Sequence, residues 1–181
     1  LPIAASQVTS TLGFGVNSSV DIFDTPPLVD DTTDSTDEQA DVAAYRAAVE
    51  AVTAVVYEMD QQNSGTTPDS VLSELTADLA NDGNINGTTA AGTSTVLTAT
   101  TLAVLDQDPA TLPIPNSDDG TGNPILVGEV EQVLIDETST TGTTTNTAEL
   151  DPTTGSIDTV VAPAETNPDI DGDGDLDPDH P

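Results

Sequence analysis

Cysteine, tryptophan and lysine are all absent from this chain, and each absence closes a route. Without cysteine no disulfide staples the fold, and the redox compartment cannot be read from thiol usage. Only four aromatic residues occur, Phe14, Phe23, Tyr45 and Tyr57, so a core has to come from Val, Leu, Ile and Ala. Each fully buried Val or Leu contributes about 1.5–3 kcal/mol, which makes a small core marginal. A single base, Arg46, stands against 33 acidic residues, for a formal charge of −32 over 181 residues. Nucleic acid is a poor partner for such a surface, because no basic patch displaces counterions from phosphate. An anionic bilayer is disfavoured on the same ground, and no apolar run approaches the ~20 residues of a membrane span.

Catalytic equipment is equally sparse. A serine nucleophile needs a base, and the one histidine is His180, near the end of the chain. Zinc needs His or Cys ligands, and no CxxCH or Gly-rich phosphate loop occurs. An intramolecular isopeptide staple needs lysine. A carboxylate pair for glycoside cleavage is compatible with residue type but lacks the aromatic platforms that hold sugars. The expectation is a chain that is not an enzyme.

The longest regular pattern runs from Asp37 to Gln62. Val42, Tyr45, Val49, Val52, Val56 and Met59 follow one another at steps of three and four, which places them in one helical stripe. Ala43, Ala44, Ala47, Ala48, Ala51 and Ala54 fill the flanks and allow another helix to approach closely. The acids from Asp30 to Asp41 suit helix entry, with Ser35 or Thr36 as cap. Arg46 and Glu50 are spaced for an i,i+4 pair.

Around this helix the chain reads as follows. Residues 3–12 form a short helix stopped by Gly13. Phe14, Val20, Ile22 and Phe23 anchor the next loop, and Pro26-Pro27 keeps it non-helical. Thr67-Pro68 caps a helix to about residue 81 with Val71, Leu72, Leu75 and Leu79 on its apolar side. So short a link makes the two long helices antiparallel. Residues 94–106 and 125–136 fit helices, the second capped by Asn123-Pro124, although threonine and β-branched content leave a strand open for each. Residues 111–116 are extended and 117–123 form a turn. The fold class expected is mainly α: a small antiparallel helical bundle over 1–137, an extended Thr-rich connector with β character over 138–168, and an Asp-rich calcium loop over 169–181. Asn17-Ser-Ser and Asn86-Gly-Thr are sequons, relevant only in a glycosylating cell.

Two stretches have ligand spacing. Asp169, Asp171, Asp173, Asp175 and Asp177, with Gly174, spell D-x-D-x-D-G-x-x-D, the opening of a calcium loop. Alternate carboxylates converge on one hard cation, and without it they repel one another. His180 stands where a bidentate Glu would close the loop, so weak affinity follows, around 10⁻⁴–10⁻³ M. A solvated acidic tail is the plain alternative. The second stretch, Asp82, Asn84 and Asn86, gives D-x-N-x-N-G without later ligands. A helix stop and an Asn-Gly turn explain those residues equally well.

The aspartate loop resembles thrombospondin type 3 and dockerin-like calcium repeats, which implies Ca²⁺ held by Asp169, Asp171, Asp173 and Asp177 with the Asp175 carbonyl. More diffusely, AAYRAAVEAVTAVVYEM followed by DLANDGNINGT resembles helical segments of bacterial secreted lipoproteins and repeat adhesins, which implies a surface or matrix role. The Thr- and Asp-rich, Lys-poor composition points to secretion or the cell surface, and the opening LPIAAS suggests a mature or excised product. The expected function is a non-catalytic structural subunit or stalk module that self-associates into a filament or matrix. The rival is an adhesin or accessory module with a surface or glycan ligand on the helical body.

Overall fold

A computed structural model describes residues 2–14, 16, 20–28, 36–130 and 133–134, and the protein is mainly helical there. The connector and the aspartate loop expected beyond residue 137 lie outside the described residues. In chain order the elements are α1 (Pro2–Leu12), α2 (Thr36–Gln62), α3 (Pro68–Asp82), a ribbon of β1 (Thr88–Thr89) and β2 (Gly92–Thr93), and α4 (Ala99–Leu102). Three 3-10 turns follow, at Ala103–Asp106, Pro109–Thr111 and Val127–Glu129. Among the described residues no helix is long and apolar enough to cross a membrane.

The centre is α2, which touches α3, α4 and all three 3-10 turns. Its buried face differs from the stripe read off the large side chains. Met59, Val56 and Val42 are buried as expected, but Val49 is exposed and Tyr45 and Val52 are half-buried. Fully enclosed beside Met59 are Ala43, Ala47, Ala51, Ala54 and Val55. Alanine brings neighbouring backbone close, so the small-residue face turns inward and the larger valines sit at its margin. Thr36 is already helical, and Ser35 lies outside the described residues.

Sequence signals place the helix ends well. Gly13 follows the last residue of α1, and no side chain fits there, since a Cβ would lie 2.1 Å from the Thr9 carbonyl oxygen. The chain then turns through Phe14, whose φ of 43° is unusual for a side-chain-bearing residue, and buries the ring. Thr67 Oγ1 accepts from the Ser70 N–H at 3.2 Å, Ser70 Oγ accepts from the Thr67 N–H at 2.9 Å, and Pro68 opens the first turn of α3. Gly83, at φ 90°, closes α3 with its N–H on the Leu79 carbonyl.

Other expectations are corrected. Phe23 does not anchor its loop: it is 67% exposed. The loop is held instead by the Tyr45 hydroxyl donating to the Ile22 carbonyl at 3.1 Å and by Arg46 Nη1 on the Pro27 carbonyl at 3.2 Å. Leu72 is 47% exposed, while Val71, Leu75 and Leu79 face the core. The helix read over 94–106 shrinks to α4 and one 3-10 turn, and Ser94 bends the chain ahead of it by accepting from the Val96 and Leu97 N–H groups. Pro109 does not merely end that run but opens the next turn, with Asp108 as cap. No helix starts at Pro124. Ile125 and Leu126 are extended and pair with Pro113 and its neighbours, and helical backbone resumes only at Val127. Asn123 is drawn back into the preceding turn rather than capping.

The core gathers Met59, Leu75, Ile85, Val104 and Val127 around the α2–α3 contact. Leu75→Ala is expected to destabilise the protein by about 2–5 kcal/mol through the cavity it leaves. Leu72→Ala should cost no more than about 0.5 kcal/mol. Urea unfolding of the two variants measures the contrast, and equal costs would refute the assigned face of α3.

Candidate functional site

The loop after α3 is the one sequence-derived candidate within the described residues. Asp82 and Asn86 come together: Asp82 Oδ2 accepts from Asn86 Nδ2 at 3.2 Å, and Oδ1 accepts from the Asn84 N–H at 2.9 Å. Asn86 Oδ1 in turn accepts from the Thr88 N–H at 3.0 Å. Asn84 enters this network through its backbone. The polar groups of the motif are thus used to fold the loop on itself, in the manner of a helix stop followed by a turn. Among the described residues no group of three or more His, Cys, Asp or Glu side chains is disposed to hold a metal ion. Asp169, Asp171, Asp173, Asp175 and Asp177 lie outside the described residues.

The residue that organises the loop is Asp78, which motif spacing does not single out. It is fully buried on α3, and its Oδ2 accepts from the N–H groups of Asn86 at 2.9 Å and Gly87 at 2.7 Å. Its Oδ1 accepts from the Thr88 N–H at 3.0 Å. Three successive backbone donors therefore converge on one carboxylate, which fixes Ile85 in the core and starts β1. Gly87 is needed at φ 80°, since a Cβ there would lie 2.7 Å from the Leu97 carbonyl oxygen. A signal for Asp78 existed: it sits three residues after Leu75 and seven after Val71, on the buried side of α3.

Burial pushes the Asp78 carboxyl above the usual carboxylate range; the three N–H bonds pull it partly back, and the charge of Asp82 adds to the rise. The opposite case is Asp119, in the turn before Asn123. Hydrogen bonds from the Thr121 hydroxyl and N–H, and then from Asn123, draw its carboxyl down to about 2. Asp118 supports the same turn by accepting from the Gly120 N–H.

Two cavities lie along one face of α2. One, of about 250 Å³, lies between α1, α2 and the loop through Ile22, with Val8, Leu12, Tyr45 and Val52 in its walls. The other, of about 340 Å³, lies between α2, the start of α3 and Pro115, with Val56, Tyr57 and Leu72 in its walls. Among the described residues both walls are mostly apolar, and neither brings a base against a nucleophile. Arg46 Nε meets Glu50 Oε1 at 2.7 Å, the i,i+4 pair expected from spacing.

The two carboxyls make opposite demands on pH. Asp78 has a raised pKa in the folded state, so its contribution is present in full below the unfolded value, roughly 3.9, and is lost as pH rises through the folded one. Asp78→Asn leaves buried N–H groups facing an amide and is expected to cost about 2 kcal/mol or more. Its deficit against the native chain should be largest below about pH 4 and narrow above it. Asp119 has a lowered pKa, so its contribution holds above roughly 3.9 and fades as pH falls towards about 2. The deficit of Asp119→Asn should therefore close on acidification. Urea midpoints of each variant and the native chain, taken between pH 2 and pH 7, test both signs.

No family model, no curated protein and no solved structure matches the chain, so function has to be read from its charge and geometry.

Proposed function

We propose that this chain is a non-catalytic extracellular structural protein, a subunit or stalk module of a bacterial surface filament or matrix. Its charge carries the reading: 33 acids against Arg46, whose guanidinium is occupied by Glu50 and the Pro27 carbonyl. A surface of that kind attracts cations, and self-association between copies needs a multivalent one to offset repulsion. The body, read as a small antiparallel helical bundle, is joined by the Thr-rich stretch 138–168 to the aspartate run 169–181. Asp169, Asp171, Asp173 and Asp177 supply carboxylates and Asp175 a carbonyl to Ca²⁺. The apolar walls of the two cavities support a packing role more than a catalytic one.

An adhesin or accessory module with a ligand on the helical body is the second reading. It is favoured by the half-open cavity in which Tyr57 stands with Asp69 and Asn116, a ring beside polar groups of the kind that holds a sugar.

Light scattering and negative-stain microscopy on the intact chain, in millimolar calcium and in chelator, separate the two. Polymers in calcium that vanish in chelator and in Asp171→Asn/Asp173→Asn are expected. Polymers indifferent to both changes refute the calcium site, and compact monomers throughout refute self-assembly.

A further inference from the structure

The two cavities beside α2 share Val52 and Thr53 and follow one another along one face of the helix from Tyr45 to Tyr57. At 1.5 Å per residue that band is about 18 Å long. It has exposed apolar margins at Val8, Val49, Tyr57 and Leu72. In a chain with 33 acids, the described residues put no acid in the wall of the first cavity and Asp69 in the wall of the second. Such a strip calls for an uncharged, apolar occupant of some five or six residues in extended form, at roughly 3.3 Å each.

We infer that the occupant is the chain's own segment Ile157–Ala162, IDTVVA, folded back in cis. Beyond residue 137 the sequence is dominated by Thr, Asp, Gly and Pro, and this segment holds its densest cluster of β-branched apolar residues, with one acid, Asp158. In extended form, alternation would put Ile157, Thr159 and Val161 on one side and Asp158 with Val160 on the other, so that the acid would be left in water. The 22 residues from Leu134 to Ser156 reach about 70 Å, whereas α2 is about 40 Å long. Reach is therefore no obstacle. Charge favours the chain's own tail over a second copy: docking in cis adds no net charge, whereas a second copy brings −32 against −32. A basic peptide finds no counter-charge among the described residues that line the first cavity. Tethering also holds the segment at an effective concentration in the millimolar range.

The inference does not depend on the assembly reading, because closure in cis stands whether or not calcium polymerises the protein. The absence of native cysteine makes the test clean. Thr53 is exposed and lies on both cavities, so Thr53→Cys is paired in the full chain with Thr159→Cys, and for comparison with Thr153→Cys or Thr166→Cys. Oxidation is followed on non-reducing gels and by mass. An unattached tail closes at three similar rates, falling gently with distance along the chain. A docked segment gives a maximum at 159, roughly tenfold above both neighbours. Val161→Asp, a change outside the described body, should bring that maximum down to the level of its neighbours. A flat profile over 153, 159 and 166 overturns the inference. So do disulfide dimers as the main product, from the double variant or from Thr53→Cys mixed with Thr159→Cys.

Discussion

Alanine on α2 sets how near everything else can come. Ala47, Ala51 and Ala54 are sealed, and α3, α4 and the 3-10 turns are packed around the helix that carries them. Alanine gives up no side-chain freedom on burial and is the best helix former. A face of this kind gains stability from close approach rather than from large buried side chains. It suits a chain with so few aromatics, of which Phe14 alone is fully enclosed among the described residues.

Past α3 the regular elements are short, and the chain is held by a different device. Asp78, Ser94, Asp108, Ser117 and Asp119 each accept a hydrogen bond from backbone N–H groups nearby. This answers a problem the composition creates. With one base available, the carboxylates as a set cannot be satisfied by ion pairs, and Arg46 is already committed to the largely covered Glu50. The acids and hydroxyls turn to the main chain instead. Backbone donors that short ribbons and 3-10 turns leave unpaired are the partners they find.

That division explains what could be read from the sequence and what could not. The caps at Thr67-Pro68 and Gly83 and the stop at Gly13 were legible because local chemistry decides them. So was the existence of α2 and α3. The buried face of α2 was not: periodicity ranks side chains by size, and alanine wins its place by being small. Leu72 and Phe23 show the converse, apolar residues to which the fold gives no cover. Residues 94–110 and 124–130 were the least legible, because Ser94 and Asp108 act over two or three residues and the chain at Ile125 and Leu126 pairs with Pro113 and its neighbours where spacing alone looks helical, whereas the turn over 117–123 was expected. Asp78 was visible in register but not in role, since its donors lie eight to ten residues further on and meet it only after the loop has closed.

Tyr45 and Tyr57 are the only tyrosines in the chain, tryptophan is missing, and each ring sits in the wall of one cavity beside α2. Ultraviolet emission from this protein is consequently tyrosine emission that originates along one strip of one helix. The molecule carries a built-in optical reporter there, with no brighter indole to mask it. Whatever covers or uncovers that strip, whether tail, neighbour or solvent, will be visible in the unlabelled protein.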